Sequence, residues 1–288
     1  MDKFYRLCCS CLMTLAFFLG GCNNEKSEIP TFLSLKSPII EFVPATGSTK
    51  QNVEDYWLYV GNDLLGVFSP GQVAPVIGEG MKDLSIHPGI RVNGIRDNAI
   101  IYPFLEPFRS SLDLCACAEV IDIQPLFKYK PTAKFSFIED FESNNSFTED
   151  LDGSNLTSAT IQNTNVFEGD YSLMLNVDEV NRDNQITTPL YYTDIPLDSR
   201  DVFLEFNYKS NLNFAVGLDA KILGADPVYN FGIYLSPEWK KMYINLTDLI
   251  RESNAEDGYR IAFRLVHPGG SFTEKGFLYL DNIKLVHY

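Results

Sequence analysis

Short runs of apolar and β-branched residues that alternate with polar ones set the strongest limit on the fold of this chain. Such runs recur along it, among them DYWLYV, KFSFIEDF, VFLEFNYK and GFLYLDNIKLV, and Gly, Asn, Asp and Pro separate them. Strands of this length between such turn residues are typical of β-sandwiches. The best helical signal is NLTDLIRES, in which Thr247 is placed to cap one or two turns that end before Asn254. The sequence therefore predicts an all-β fold.

A change in strand length divides the chain near KYKPTAKFSF. Before this stretch, Gly and Pro are dense and the strands are short, whereas the later strands are longer and alternate cleanly. Pro131 in a basic segment suits a brief linker. We therefore predict two β-sandwich domains, a small one at 31–130 and a second one at 131–288.

The N-terminal segment joins an apolar run to a polar one in LAFFLGGCNNEKSE. The apolar run has the length of a signal peptide and is shorter than the ~20 residues that span a bilayer. Its LGGC end resembles the lipobox of bacterial lipoproteins, which implies a signal peptide at 1–21, a lipidated Cys22 and a tether at 22–30. An ordinary signal peptide with a chance cysteine is the alternative. The resemblance predicts an outer-membrane protein held by a lipid anchor.

Charge and histidine content argue against two classes of function. The chain carries 38 acidic and 23 basic residues, a net charge of -15, which repels phosphate backbones and predicts no nucleic-acid partner. Its three histidines form no His-x-x-x-His pair and no spacing typical of a Ser, His and acid triad. Paired carboxylates that cleave glycosides leave no spacing signature, and nothing in the sequence selects a pair. We therefore predict that the protein is not an enzyme.

Two cysteines lie outside the N-terminal segment, in LDLCACAEV. In a strand, Cys115 and Cys117 would lie ~6.5–7 Å apart on one face, which is long for a disulfide. No Cys or His cluster lies nearby, so a zinc site with four ligands is not expected. We predict buried small residues, with a strained disulfide as the alternative.

Two resemblances to known families refine the domain predictions. In the first domain, VGND suits a hairpin turn, and Gly80, Leu84 and Ile86 follow a G-x-x-x-L-x-I pattern that resembles PEGA-like β-sandwich modules. In the second, FIEDFES, VFEGDYSLMLNV, LSPEWKKMYINLTDL and GFLYLDNIKLV resemble jelly-roll carbohydrate-binding modules of the galactose-binding-like kind over 137–288. This resemblance implies a jelly roll whose first and last strands pair, which also avoids two exposed edges.

The second resemblance also implies a metal site. Many such modules hold a structural calcium where the first and last strands meet, and the matching positions here are Glu142, Glu168 and Asp281. Calcium selects hard oxygen ligands of this kind. Solvated acids at the strand ends are the alternative, and a bound calcium would be structural and not catalytic.

Candidate ligand-binding residues are aromatic, because the C–H face of a sugar stacks on a ring. Alternation in WKKMYINL places Trp239 opposite the apolar face of Met242 and Ile244 and so predicts that Trp239 is exposed. Tyr192 and Tyr229 stand at predicted strand ends. A packing role is the alternative for each of the three aromatic residues.

The predicted function is binding of a glycan by a membrane-anchored, non-catalytic lipoprotein through its jelly roll. The alternative is an envelope assembly protein that docks onto an outer-membrane or secretion complex through protein contacts. The tandem resembles lipoproteins of Bacteroidetes-type bacteria, in which both uses occur. The fold does not discriminate between them.

Overall fold

The computed structural model describes residues 29–154, 156–222 and 226–288. The predicted signal peptide, Cys22 and most of the tether lie outside the described residues. The fold is all β, as predicted, and one α-helix, α1 (Thr247–Ser253), accompanies the strands in these ranges. None of the helices described there is long and apolar enough to cross a membrane.

The first half of the chain forms a small β-sandwich. Its ten strands are β1 (Thr31–Leu35), β2 (Ile39–Ile40), β3 (Asp55–Val60), β4 (Asp63–Phe68), β5 (Val73–Val76), β6 (Gly80–Arg91), β7 (Ala99–Ile101), β8 (Phe108–Leu114), β9 (Val120–Ile123) and β10 (Leu126–Phe127). One sheet has the order β5-β1-β9, the other has the order β4-β3-β6-β7 with β8 also on β6, and β2 pairs with β10. The predicted hairpin at VGND is the β3–β4 connection, where Val60 pairs with Asp63.

The second half forms a jelly-roll sandwich of two antiparallel sheets. Its strands are β11 (Lys134–Glu139), β12 (Glu149–Asp150), β13 (Ala159–Gln162), β14 (Ser172–Val177), β15 (Asp183–Thr187), β16 (Val202–Ser210), β17 (Phe214–Ala220), β18 (Val228–Ile233), β19 (Ser236–Asn245), β20 (Tyr259–Val266) and β21 (Gly276–His287). The first sheet has the order β13-β14-β21-β16-β19 with β11 also on β21, and the second has the order β12-β15-β20-β17-β18. The predicted pairing of first and last strands is confirmed, since β11 runs antiparallel to β21.

Helix α1 forms at the predicted place, but its N-terminal cap differs from the prediction. Thr247 is the first helical residue, and its backbone N–H donates to the side-chain oxygen of Asn245 at 2.9 Å. The Thr247 hydroxyl accepts from the backbone N–H of Val202 instead. Asn254 ends the helix in the left-handed conformation, which asparagine tolerates better than most residues.

The prediction of two buried, unpaired cysteines is wrong, because Cys115 and Cys117 form a disulfide. Their Cα atoms lie 5.3 Å apart, closer than strand geometry gives. Strand β8 ends at Leu114, and the chain then bends through Ala118 at φ 58°. Cys117 is exposed and Cys115 is half-buried in this bend.

The two sandwiches pack through the outer face of the first jelly-roll sheet. Phe203 on β16 lies 5.7 Å from the ring of Tyr102 and 5.9 Å from that of Phe104. Tyr243 on β19 lies 5.2 Å from Tyr102, and all four side chains belong to one buried cluster. Within the described residues, no sheet contains strands from both halves, so the predicted boundary at 130/131 falls between sheets and stays a prediction.

Candidate functional site

A cleft of about 1210 Å³ opens where the two sandwiches meet. One wall comes from the first sandwich, from residues 50–54 and the turn at 91–96. The other comes from the jelly roll, from Phe167 and from parts of β16, β18 and β19. Clefts at domain junctions, with aromatic and a few polar side chains, are common places for small ligands.

A tight turn brings the first sandwich against β19. Asn93 and Gly94 have φ angles of 57° and 70°, which asparagine and glycine adopt most readily. The Asn93 side-chain oxygen accepts from the backbone N–H of Asn245 at 3.0 Å. A Cβ on Gly94 would lie 3.1 Å from the Met242 methyl, so glycine also permits this close approach. The turn thereby holds Arg96 at the cleft.

A chain of hydrogen bonds fixes the other segment of this wall. The Tyr243 hydroxyl accepts from the backbone N–H of Asn52 and donates to the side chain of Gln51, both at 2.9 Å. The Gln51 amide in turn donates to the Tyr129 hydroxyl at 2.9 Å. Residues from both halves are therefore joined directly beside the cleft.

A buried carboxylate lies behind the cleft. Glu205 is fully buried and accepts hydrogen bonds from the hydroxyls of Tyr102 and Tyr129. Burial by itself would raise the pKa of Glu205, but Lys241, Lys284 and the two hydroxyls lower it overall. Burial lowers the pKa of Lys284 to about 7, despite the attraction of Glu205. The Lys284 ammonium donates to the backbone oxygen of Ser48 at 2.6 Å.

Two buried polar groups at the cleft have no hydrogen-bond partner among the described residues. They are the Asn207 side-chain oxygen and the Lys241 ammonium, on residues that pair across β16 and β19. Lys241 lies 3.3 Å from Glu205, an ion pair without hydrogen-bond alignment. Buried polar groups without partners are costly. The Asn207 oxygen and the Lys241 donors that do not face Glu205 are thus without a partner in the described residues.

Trp239 lies at the cleft in an aromatic cluster. It is half-buried, with its ring 5.7 Å from Phe167 and 6.5 Å from Tyr279. Alternation predicted that Met242 and Ile244 lie on the buried face of β19, opposite Trp239. This is confirmed, because both residues belong to the jelly-roll core. The face of β19 that carries Trp239 is partly covered. The first sandwich packs on Tyr243, and the Lys241 side chain is 2% exposed.

The other two predicted aromatic residues lie away from Trp239. Tyr192 stacks on Phe137 at 4.9 Å and packs against the jelly-roll core. Tyr229 lies under the Arg264 guanidinium at 5.6 Å and donates to Gln185 at 2.8 Å. Of the three, Trp239 alone lines the cleft.

The three predicted calcium ligands meet in one corner of the jelly roll, but their oxygens accept protein hydrogen bonds. Buried Asp281 accepts from the backbone of Phe167, Glu168 and Asn282, and burial raises its pKa to about 7. Glu142 accepts from the backbone N–H groups of Asp170 and Tyr171, and Glu168 accepts from Ser48 and Asn282 side chains.

This corner does not form an open cage of oxygen atoms. In the described ranges, three ligand atoms from His, Cys, Asp or Glu lie within 4.8 Å of one another only at Cys115, Cys117 and Glu119, where the cysteines are bonded to each other. As placed, Glu142, Glu168 and Asp281 do not fit a calcium ion. Binding would require at least one carboxylate to leave its N–H donors.

Sequence reasoning missed most of the cleft. Alternation already placed Lys241 beside Trp239, but it gave no reason to expect the Lys241 side chain to be buried. Arg91, Arg96 and Gln51 come from the first sandwich and reach the cleft through tertiary packing. Their surroundings in the sequence carry no signal of that contact.

Comparisons with known proteins give matches only among solved structures. No protein-family model matches the chain, and no curated protein matches it. The CBM22-1 xylan-binding domain of Xyn10C from Paenibacillus barcinonensis matches at 13% identity and a TM-score of 0.39, over 54% of this chain and 95% of that chain. The family 11 carbohydrate-binding module of cellulase Lic26A-Cel5E from Clostridium thermocellum matches at 17% identity and a TM-score of 0.38, over 54% and 95%.

A tailspike domain gives a third match of the same kind. Tailspike protein 4 of bacteriophage CBA120 matches at 14% identity and a TM-score of 0.34, over 55% of this chain and 20% of that chain. All three TM-scores lie below 0.5, so these likenesses assign neither a ligand nor an activity to the chain.

Proposed function

We propose that this protein is a non-catalytic glycan-binding protein that holds its ligand in the cleft between the two sandwiches. The observation that carries the proposal is the half-buried Trp239 beside the unpartnered side-chain oxygen of Asn207. A tryptophan ring suits the C–H face of a sugar, and a buried amide oxygen suits a hydroxyl donor.

Other cleft residues supply the same two kinds of contact. Phe231 and Tyr234 add aromatic surface, and Tyr234 is 81% exposed. Asn230 adds an amide that both donates and accepts hydrogen bonds, and Asn52 adds an amide oxygen, whereas the Gln51 amide already bonds to two tyrosine hydroxyls. Rings next to amides favour a polyhydroxylated ligand over a purely apolar one.

The lining of the cleft supports a binding role without catalysis. Glycoside hydrolysis by the common mechanisms takes two carboxyl groups on either side of the scissile bond. In the part of the chain that the structure describes, Glu54 is the one acid that lines the cleft. The Glu54 carboxylate accepts from the side chain of Asn52 at 2.9 Å.

A glycan array with the purified chain tests this proposal. We expect binding to a restricted set of oligosaccharides and loss of that binding in the Trp239→Ala variant. Unchanged glycan binding by Trp239→Ala would show that the binding site lies elsewhere in the protein. An array without any binding would contradict the proposed function.

One observation favours the alternative function, docking to an envelope protein. Edge strand β4 exposes Leu64, Leu65 and Val67, which are 46%, 38% and 44% exposed. An exposed apolar edge strand can accept an extended segment of a partner as an added strand. Absence of glycan binding, together with crosslinks from position 65 to an envelope protein, would favour this alternative.

We further propose that the protein is anchored by lipid at Cys22 to the outer membrane. The motif LGGC supports this proposal, and several acyl chains hold a protein more firmly than one because each buried CH₂ adds ~0.8 kcal/mol. The Cys22→Ser variant should lose all label from a fatty-acid probe in cells. Label that persists on Cys22→Ser would contradict the anchor.

Calcium at the acidic corner is a separate proposal: it rests on the resemblance of the sequence and requires at least one carboxylate to exchange its N–H donors for the ion. An ion between Glu142, Glu168 and Asp281 would bind only the folded state and add ~2.7 kcal/mol at a hundredfold excess over Kd. We therefore expect calcium to raise the melting temperature of the full chain by about five degrees, and magnesium to do much less. The Asp281→Ala variant should lose the calcium effect. Identical melts of metal-free protein in calcium, magnesium and chelator would refute this site.

A further inference from the structure

The charge of the cleft is opposite to the charge of the chain. Among the residues that the structure describes, five that line the cleft are Lys or Arg and one is acidic, whereas acidic residues outnumber basic ones by 38 to 23 in the whole sequence. The five are Lys50, Arg91, Arg96, Lys240 and Lys241. We infer that the glycan bound in the cleft is anionic, with carboxylate or sulfate groups on its sugars. This inference rests on the proposed function and specifies its ligand.

Three of the five cations are free to meet a ligand. Lys50, Arg96 and Lys240 are exposed, and none has a carboxylate oxygen within 4.0 Å in the described ranges. Arg91, in contrast, is bound to Asp55 through two hydrogen-bonding nitrogens and lies 3.9 Å from Glu54. The single acid of the cleft therefore faces a cation, and the free charges are all positive.

The buried part of the cleft matches an acidic sugar in a second way. The Lys241 ammonium lies 3.3 Å from Glu205, and at least two of its three donors have no acceptor among the described residues. An anionic oxygen would satisfy these donors through charge-assisted hydrogen bonds. Its neighbour across the strands, Asn207, offers an oxygen to a hydroxyl. A sugar acid carries both groups within one residue, whereas a neutral sugar lacks the anionic oxygen.

The acidic surface elsewhere makes this preference selective. A polyanion without a shape that fits the cleft meets repulsion from the rest of the chain, because charges interact over about 10 Å at 0.1 M salt. An anionic oligosaccharide that enters the cleft instead meets cations from both walls. Shape and charge are therefore both required for binding.

Calorimetric titrations of the full chain test the inference with four probes of similar length. The probes are oligogalacturonate, a carrageenan-derived oligosaccharide that carries sulfates but no carboxylates, a neutral xylo-oligosaccharide and polyglutamate. We expect at least tenfold tighter binding of one or both anionic glycans than of the neutral one at low salt. The preference should fall as salt rises to 0.5 M, and the tighter anionic probe identifies carboxylate or sulfate as the recognised group.

Charge-removing variants locate the preference in the cleft. Lys240→Gln and Arg96→Gln replace exposed side chains, so each should fold normally and each should reduce the ratio of anionic to neutral affinity about threefold to tenfold. Lys82→Gln removes an exposed charge outside the cleft and should leave that ratio unchanged. Melting curves of all three variants show whether folding is intact.

The possible failures are distinguishable. Neutral and anionic glycans that bind equally well would overturn the inference and leave the proposed function standing. Polyglutamate that binds as tightly as the anionic glycans, or an equal effect of Lys82→Gln, would also overturn it. No binding of any glycan would instead reject the proposed function itself.

Discussion

Replacing Glu205 with alanine should destabilise the whole protein by about 3–5 kcal/mol, because removing one partner leaves buried opposite charges uncompensated. Lys241 and Lys284 would lose their counter-charge, and the Tyr102 and Tyr129 hydroxyls would lose their acceptor. These groups belong to both halves of the chain. The loss should therefore lower the midpoint of one cooperative unfolding transition, measured by chemical denaturation.

Two further variants make the Glu205 result interpretable. Glu238→Ala removes an exposed carboxylate from β19 and should change the free energy of unfolding by less than about 0.5 kcal/mol. Glu205→Gln keeps an acceptor oxygen and removes the charge, so we expect an intermediate loss, and it also serves if Glu205→Ala does not fold. Equal stability of Glu205→Ala and Glu238→Ala would show that the buried cluster does not join the two sandwiches.

Trp239→Ala should weaken glycan binding about tenfold to a hundredfold. Stacking on a large ring removes apolar surface from water, and full burial of such a surface is worth about 1.5–3 kcal/mol. Trp239 sits at the surface of the jelly roll, so we expect a much smaller effect on folding. Calorimetry with the strongest ligand from the array measures the change in Kd.

Tyr171→Ala is the matched control for Trp239→Ala. Tyr171 is an aromatic residue of the same domain, is 41% exposed and does not line the cleft. The Tyr171→Ala variant should bind the ligand with the same Kd as the unsubstituted protein. Equal loss of affinity in both variants would indicate a general effect on the jelly roll and would contradict a specific role of Trp239.

The strands of the jelly roll could be predicted from the sequence because one face of each is apolar. In β19, Met242 and Ile244 identify the core face directly. The pairing of β11 with β21 follows from sandwich closure, which depends on order along the chain and not on any single residue. Local patterns and closure rules therefore suffice for this half of the architecture.

The contact between the sandwiches could not be predicted in this way. In β16, Glu205 and Asn207 look like a solvated face by alternation, but both are buried because the first sandwich covers them. A polar residue in a strand gives the same pattern whether water or a second domain lies above it. The cleft depends on that packing, so its cationic lining has no signature in the sequence.

The disulfide was predicted only as the alternative, for a different reason. The expected separation of Cys115 and Cys117 assumed that the strand continues through both residues. The chain leaves the strand at Leu114 and bends, which brings the two Cα atoms to 5.3 Å. An end of the strand three residues earlier than expected, at Leu114 and not beyond Cys117, was enough to reverse the conclusion.

Tryptophan fluorescence gives the most direct test that a glycan binds in the cleft. The chain has two tryptophans, and Trp57 has a buried ring nitrogen without a hydrogen-bond partner among the described residues. Trp57→Phe should therefore fold normally and leave Trp239 as the only tryptophan, which can be excited selectively over tyrosine. Titrating the array ligand into Trp57→Phe should give a saturable change in emission with the same midpoint as calorimetry. Binding seen by calorimetry with no change in Trp239 emission would contradict the proposed site.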